Sequence, residues 1–444
     1  MRAGPILDDE LGPLLDPLRH YETLILAVSG GADSSALMLL VSRWSARPEA
    51  RPPRLLVATV DHGLRPGSGA EATAVGEAAR RLGLAHEILV WSGPKPATGV
   101  QEAAREARYS LLDRLASAHD RTAIVTAHHL DDQAETVLMR LARGSSIDGL
   151  GGMRRTTSSA TGVHPPRERP LLGIPKARLV ATLEAAGLGW IEDPSNRDPA
   201  FERVRLREAS TTLAVLGLTN AQIARSSERL QRAREAIEAA TAALWNACGR
   251  MHGGAYASLR LAPFEAAAPE LRLRVLGHAL EAFGGRAAPP PLSQLESLLA
   301  ALEQQEFAGQ TLAGCAIERA GPEIRVYREP GRHGLPAMTL TPGSNGIWDN
   351  RFRVSLAAEA NSAVLIKSLS LADLADVRRS QAKALDLPSR ALLTLPSFRT
   401  GETLVAAPNL GIALPSAPHS ADGAKPLVRS DFLWHERMPE RTWT

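Results

Sequence analysis

The stretch Leu24-Ile25-Leu26-Ala27-Val28-Ser29-Gly30-Gly31-Ala32-Asp33-Ser34 decides the reading of this sequence. An apolar run delivers the chain into a Ser/Gly turn, and a helix-forming segment, residues 35–44, follows at once. Gly30 and Gly31 let backbone amides approach an anion without a Cβ in the way, and Ser29, Ser34 and Ser35 add hydroxyls. The positive end of the following helix acts on the same place. Strand, glycine turn and helix in that order make a cradle the size of a pyrophosphate. A bare phosphate would repel Asp33, so the aspartate calls for a bridging Mg2+, an ion suited to hard oxygen ligands. The same turn also reads as an ordinary capped helix start. No Gly-Lys-Ser/Thr follows, which excludes a Walker A loop, and the G-x-G-x-x-G fingerprint is absent.

Outward from this loop, short apolar runs alternate with amphipathic segments. Strands are expected at residues 23–28, 55–60, 86–91 and 122–127, and helices at 71–82, 101–118 and 131–142. This is the pattern of an α/β fold, a doubly wound parallel sheet with crossover helices on both faces. Gly144 stands where a glycine ends the last of these helices. Residues 153–169, rich in Ser, Thr, Pro and Arg, read as an exposed, mobile loop, and a further helix opens with Pro175 in its first turn. A linker is expected at 213–219, followed by an Arg/Glu-rich helical stretch at 220–247. Helices at 271–283 and 292–304, β-like runs at 312–317 and 324–328, and a second linker at 330–336 come next. The expected organisation is therefore 1–215, the α/β domain; 216–330, a mostly helical α+β domain; and 331–444, a small β-rich α+β domain.

A chain of 444 residues exceeds what one core usually organises. The formal charge of +3 is small, but the basic residues are mostly arginine, which permits nucleic-acid binding without requiring it. Cys248 and Cys315 are too few for a disulfide framework and too far apart for a zinc or redox pair. The N-terminal residues lack a signal-peptide apolar region, and no run reaches the length of a membrane span. A soluble, cytoplasmic protein with no membrane association is expected.

Other constellations fall at strand ends. Asp61-His62-Gly63-Leu64-Arg65 closes the second strand and faces the same crevice as the first. Arg105, Arg108 and Tyr109 share one helix face; they suit phosphates, and equally a solvated face paired with Glu102 and Glu106. His128 to Thr136 begins at the end of the fourth strand. There Asp132 and Glu135 lie one helical turn apart, with Thr136 and Arg143 continuing the face, as an acid/base and metal cluster would require. The alternative is structural, with Asp131 as helix cap and the histidines packed. Asp193-Pro194-Ser195-Asn196, followed by Arg203, Arg205 and Arg207, is a turn feeding a basic segment.

Ser-Gly-Gly-Ala-Asp-Ser after a first strand resembles the PP-loop ATP pyrophosphatases. Within them, Val60-Asp61-His62-Gly63-Leu64-Arg65, Ala104-Arg105-Glu106-Ala107-Arg108-Tyr109, Thr126-Ala127-His128-His129-Leu130-Asp131-Asp132-Gln133-Ala134-Glu135-Thr136 and Asp193-Pro194-Ser195-Asn196 look like the tRNA(Ile)-lysidine synthase family. The resemblance covers residues 29–207 and is weaker beyond, resting there on Leu312-Ala313-Gly314-Cys315 and the overall length. It implies an adenine nucleotide alpha hydrolase-like fold, ATP and Mg2+ as cofactors, and free L-lysine and an isoleucine tRNA with a CAU anticodon as partners. A homodimer is compatible with it. The implied reaction adenylates the wobble cytidine at its C2 oxygen, and the lysine ε-amine then displaces AMP. The implied ATP-binding residues are Ser29, Gly30, Gly31, Ala32, Asp33, Ser34, Asp61 and His62, with Asp33 on the metal. Arg65, Arg105, Arg108, Glu135, Arg143, Asp193, Asn196, Arg203 and Arg205 are expected at the tRNA and substrate. A lysine amine, with pKa about 10.4, needs a proton acceptor, so Asp132 assisted by His129 is expected to join Asp33 as catalytic. Where the family commonly has Arg-Gly-Ser-Gly, this chain has Arg143-Gly144-Ser145-Ser146, which restricts that loop. Competing expectations are a tRNA sulfur-inserting enzyme, which would need catalytic cysteines or an iron–sulfur cluster whereas both cysteines fall outside residues 1–215, a small-metabolite amide synthetase, and a non-catalytic RNA- or nucleotide-binding relative.

Overall fold

The computed structural model describes residues 3–47, 51–93, 95–96, 98–157, 164–192, 202–286, 288–304, 306–380, 387–413 and 427–433. Asp193 and Asn196 lie outside the described residues. The chain divides into two units, residues 1–235 and 236–444.

In the first unit every residue of β1 (Thr23–Ala27) is buried, because helices cover both faces of a parallel sheet. Leu24 and Leu26 enter one core with Leu37, Leu40, Trp44 and Leu179, while Ile25 and Ala27 enter the opposite core with Leu112 and Ala116. The elements run α1 (Asp8–Leu15), β1, α2 (Ala32–Ser45), β2 (Arg54–Asp61), α3 (Ser68–Arg81), β3 (Ala85–Val90), α4 (Val100–Ser117), β4 (Thr122–Val125) and α5 (Leu130–Ala142). After them come α6 (Ile147–Leu150), β5 (Thr156–Thr157), β6 (Arg167–Glu168), α7 (Lys176–Ala185), α8 (Glu202–Val215) and α9 (Asn220–Cys248), whose last turns belong to the second unit.

The strand order is β3-β2-β1-β4-β6-β5. All neighbours are parallel except β5, which runs antiparallel to β6. The doubly wound sheet expected from the sequence is thus present. Successive strands are laid to one side of β1 until β4 returns to its other side, so the crevice opens at the carboxyl ends of β1 and β4. Part of the expected mobile loop at 153–169 belongs to this sheet instead. Glu168 is buried there because Tyr21 Oη and Thr156 Oγ1 donate to its carboxylate at 2.8 and 3.0 Å. The expected linker at 213–219 shortens likewise, since α8 runs to Val215 and α9 starts at Asn220.

The second unit contains an antiparallel sheet of β7 (Gly249–His252), β8 (Tyr256–Arg260), β9 (Gln310–Leu312), β10 (Cys315–Ala320) and β11 (Glu323–Arg328). Its apolar face packs against Val275, Leu276, Leu280 and Leu298. The β-like run expected at 312–317 is broken by Ala313-Gly314, both at positive φ (51° and 81°), so that Leu312 pairs with Cys315 across a two-residue hairpin. Beyond residue 330, antiparallel sheets of five and three strands enclose a core containing Trp348, Phe352 and Phe398. Among the described residues no helix is long and apolar enough to cross a membrane.

Gly30 holds the junction of β1 and α2 at φ +86°, and a Cβ there would stand 2.7 Å from Ile191 Cδ1 and 3.0 Å from Val75 Cγ2. Gly30→Ala is expected to destabilise the first unit by about 1–3 kcal/mol, measured as a lower midpoint in urea denaturation.

Candidate active site

The phosphate-loop geometry follows from where its hydroxyls go. Ser34 Oγ donates to Gly31 O at 3.1 Å and accepts from Ser29 N at 3.2 Å, with Ser29 Oγ 3.3 Å away. Ser35 Oγ donates to Gly30 O at 3.2 Å. The Ser34 and Ser35 hydroxyls, expected to face an anion, therefore shape the loop in this state. Gly31 caps α2 without any side-chain hydrogen bond, which leaves the first-turn amides as the open donors. From far along the chain, Ile191 N donates to Gly30 O at 2.9 Å.

The loop after β4 supplies the second half of the site. His129, not Asp131, is the N-cap of α5: Asp132 N donates to His129 Nδ1 at 3.3 Å and His129 N donates to Asp132 Oδ2 at 3.1 Å, a reciprocal capping arrangement. The imidazole is 1% exposed, and its Nε2 stands 3.4 Å from Asp33 Oδ2 and 3.3 Å from Asp132 Oδ2. One buried ring thus bridges the two loops and brings together Asp33, Asp132 and His129. Burial would lower its proton affinity, but Asp33, Asp132 and Asp131 outweigh burial and raise it above the ordinary imidazole value. Conversely, burial raises the Asp33 pKa, but His129 and Lys176 prevail and hold it below the usual aspartate value. Asp33 Oδ1 is buried with no hydrogen-bond partner among the described residues. A carboxylate oxygen left open beside a phosphate cradle fits a hard cation such as Mg2+.

Further along α5, Glu135 is buried, which pushes its pKa up against the opposing charge of Arg207. Arg207 Nε donates to Glu135 Oε1 at 2.5 Å, and its Nη2 lies 3.8 Å from Asp132 Oδ1. Of the arginines on α8, Arg207 is therefore the one at the carboxylates. Arg203 is close enough for its charge to act on Glu135 and His128, and Arg205 lies between them in the sequence, turned to another face of the helix.

Three contacts had no local signal in the sequence. Asp131 Oδ2 accepts from Lys176 N at 2.8 Å and Asp131 Oδ1 from Asn220 Nδ2 at 2.6 Å, so one carboxylate ties α5 to the starts of α7 and α9. Lys176 Nζ then reaches Asp33 Oδ2 at 3.5 Å.

The remaining expected residues spread around this centre. Asp61 accepts from Gly63 N at 2.9 Å, and hydrogen bonds from Ser68 and Gly63 hold it below the usual aspartate value. Burial, then the charge of Arg108, lowers His62; its ring meets Trp91 edge-on at 6.0 Å. Arg65 is held by both oxygens of Glu71 at 2.7 Å. Arg105 and Arg167 lie over the Tyr109 ring at 5.5 and 4.0 Å. Arg143, at the far end of α5, pairs with Glu202 at 2.5 Å. Both cysteines belong to the second unit and are buried, which pushes Cys248 up to about 11 and Cys315 up to about 12.

A parallel sheet whose first strand runs into an amide-lined phosphate loop, with carboxylates from the β4 loop beside it, defines a PP-loop ATP-binding enzyme. The family described as "PP-loop domain" matches residues 6–213. The chain belongs to the tRNA(Ile)-lysidine synthase family. It is 43% identical over 351 residues to the tRNA(Ile)-lysidine synthase of Bradyrhizobium diazoefficiens, covering 74% of this chain and 96% of the relative. To that of Ruegeria pomeroyi it is 36% identical over 392 residues, covering 87% and 88%. Among solved structures, the U34-tRNA thiolase NcsA from Methanococcus maripaludis with its 4Fe-4S cluster is similar at TM-score 0.43 and 19% identity, over 50% of this chain and 77% of that one.

Burial, with the charges of Arg169, Arg108, Arg203 and Arg105, lowers His128 to about 3. Unfolded, the same imidazole takes up a proton near 6.5. Its contribution to stability is therefore fully present above about pH 6.5 and is lost as pH falls toward 3, where only the unfolded chain gains the proton. His128→Asn is expected to flatten the fall in urea midpoint between pH 7 and pH 5; an unchanged slope would assign that fall to other groups.

Proposed function

We propose that this chain joins free lysine to C2 of the wobble cytidine of an isoleucine tRNA with a CAU anticodon, consuming ATP and yielding lysidine, AMP and pyrophosphate. The observation that carries this reading is the bridging of Asp33 and Asp132 by His129 beside the phosphate loop: a phosphate site and an acid/base site are within one side chain of each other. Membership of the family supplies the substrate class.

In the first step the C2 oxygen attacks the α-phosphorus, the bond to the β-phosphate breaks, and pyrophosphate leaves. Amides of the α2 first turn stabilise the charge that develops on the leaving group. Mg2+, held by the open oxygen of Asp33, would supply further neutralisation of that charge. In the second step the lysine nitrogen attacks C2 of the adenylated cytidine, and the bond from C2 to the AMP oxygen breaks. The amine must first lose a proton. Asp132 accepts it in this reading, with His129 fixing the carboxylate's direction through the helix cap. Before that transfer, Asp132 and Glu135 attract the incoming ammonium, in competition with Arg207. Recognition of the tRNA, assigned to the arginines near His128 and to the second unit, would rest on shape and phosphate contacts.

Incubation with ATP, lysine and isoleucine tRNA, followed by mass analysis of the wobble nucleoside, should show cytidine converted to lysidine. Unchanged cytidine with ATP bound would overturn the assignment and leave the PP-loop class standing. Asp132→Asn should slow lysine transfer from a preformed adenylate by about 10²-fold or more, measured in a single turnover; transfer at the full rate would remove Asp132 as base. Raising the salt concentration should weaken tRNA binding steeply, as release of counterions requires.

A further inference from the structure

The phosphate loop lacks a cation of its own. Residues 29–35 contain neither lysine nor arginine, whereas a Walker A loop carries a lysine that reaches the terminal phosphates. Backbone amides alone bear the anion unless another element brings a positive charge.

Lys176 is the cation that another element brings. It is the first residue of α7, behind Pro175 in extended conformation. Leu130 N donates to Ile174 O at 3.0 Å and Lys176 N donates to Asp131 Oδ2 at 2.8 Å, so residues 174–176 are bonded to the start of α5. The backbone of Lys176 is thereby fixed at the crevice, while its side chain is held loosely. The ammonium touches Asp33 Oδ2 at 3.5 Å, the long end of a hydrogen bond, and the two side chains are 45% and 30% exposed. A pair this open and this long contributes little to stability, so folding does not account for it. The position does: Asp33 is the second residue of α2, in the same first turn as the open amides.

We infer that Lys176 is a phosphate-binding residue that alternates between two anions, Asp33 in the free chain and the pyrophosphate end of ATP when nucleotide is bound. The inference rests on the reading of residues 29–34 as an ATP site. The exchange keeps charge balanced in both states. Asp33, were it to hold Mg2+, would release the ammonium, and the flexible four-carbon stem would let the ammonium move to the phosphates without any backbone movement. As bonds to the leaving pyrophosphate break, its growing charge strengthens the same contact. Lys176 would thus take the part of a P-loop lysine, supplied from α7 in place of the loop.

The test is titration calorimetry of the full chain with pyrophosphate, and separately with adenosine, in Mg2+ buffer without RNA or lysine. Lys176→Met should weaken pyrophosphate binding about tenfold or more, the loss of one charge-assisted contact, and leave adenosine binding unchanged. Equal pyrophosphate affinity in wild type and K176M would overturn the inference. If K176M also loses adenosine, K176R decides. Recovery of pyrophosphate binding with the cation restored supports the role, and its absence overturns it. Wild type that binds neither probe would sink both this inference and the ATP reading; wild type that makes lysidine while K176M binds pyrophosphate normally would sink the inference alone.

Discussion

Between the carboxylates of Asp33 and Asp132 stands the imidazole of His129, buried and shared by two loops that the sequence separates by almost a hundred residues. The contact exists because β4 returns to the far side of β1 and is hydrogen-bonded to it from Thr23↔Thr122 to Leu26↔Val125. The same ring caps α5, so the direction of that helix and the spacing of the carboxylates are one constraint. An uncharged apolar group in place of His129 would leave two carboxylates close together without the ring's favourable charge between them, an arrangement that costs several kcal/mol when buried. The raised proton affinity of the ring suits a group that holds its proton and gives it direction.

Charge in the first unit is sorted around this ring. On one side Asp33, Asp132 and Glu135 meet Lys176 and Arg207, each cation within 4 Å of a carboxylate. On the other, His128 feels Arg169, Arg108, Arg203 and Arg105 and is kept neutral by them and by burial. Arg169 donates to the Arg154 carbonyl and the Thr157 hydroxyl, neither of which cancels its charge. Acidic ground suits a metal ion and an amine; basic ground suits phosphates. Neighbouring histidines, His128 and His129, therefore have opposite shifts because each faces a different half of this field.

The sequence made the phosphate loop legible because its signal is local: an apolar strand, two glycines and a helix in order. Asp132 was legible for the same reason, one residue pattern at one strand end. Other parts depend on distance contacts that no local pattern carries. Lys176 reads only as a helix start until Asp131 is seen to hold its amide, and Arg207 stands out from Arg203 and Arg205 only once α8 packs on α5 opposite Glu135. β6 was hidden because its two residues, Arg167 and Glu168, are charged: the burial of Glu168 requires partners at Tyr21 and Thr156, and Arg167 is held by Asp113. The direction of the Ser34 and Ser35 hydroxyls, toward Gly31 O and Gly30 O, is likewise a property of the folded loop.

Gly30 links these observations. Its carbonyl accepts from Ile191 N, and Leu188, Trp190 and Ile191 pack on the core that also holds Leu24, Leu26 and Leu37. Residues 188–191 thus close over the beginning of the unit, and beside its local serine bonds the phosphate loop is held by a hydrogen bond spanning some 160 residues. A loop fixed by a contact of this sequence separation is pre-formed only when the whole unit is folded, since the closure entropy must be met before the bond can hold. The amides of α2 and Asp33 on its first turn are held by this closure, and the lysine that reaches Asp33 from α7 by a second long-range pair of contacts, to Leu130 and Asp131. That is why the phosphate site belongs to the whole span the PP-loop domain occupies, residues 6–213, and not to the glycine turn by which the sequence announces it.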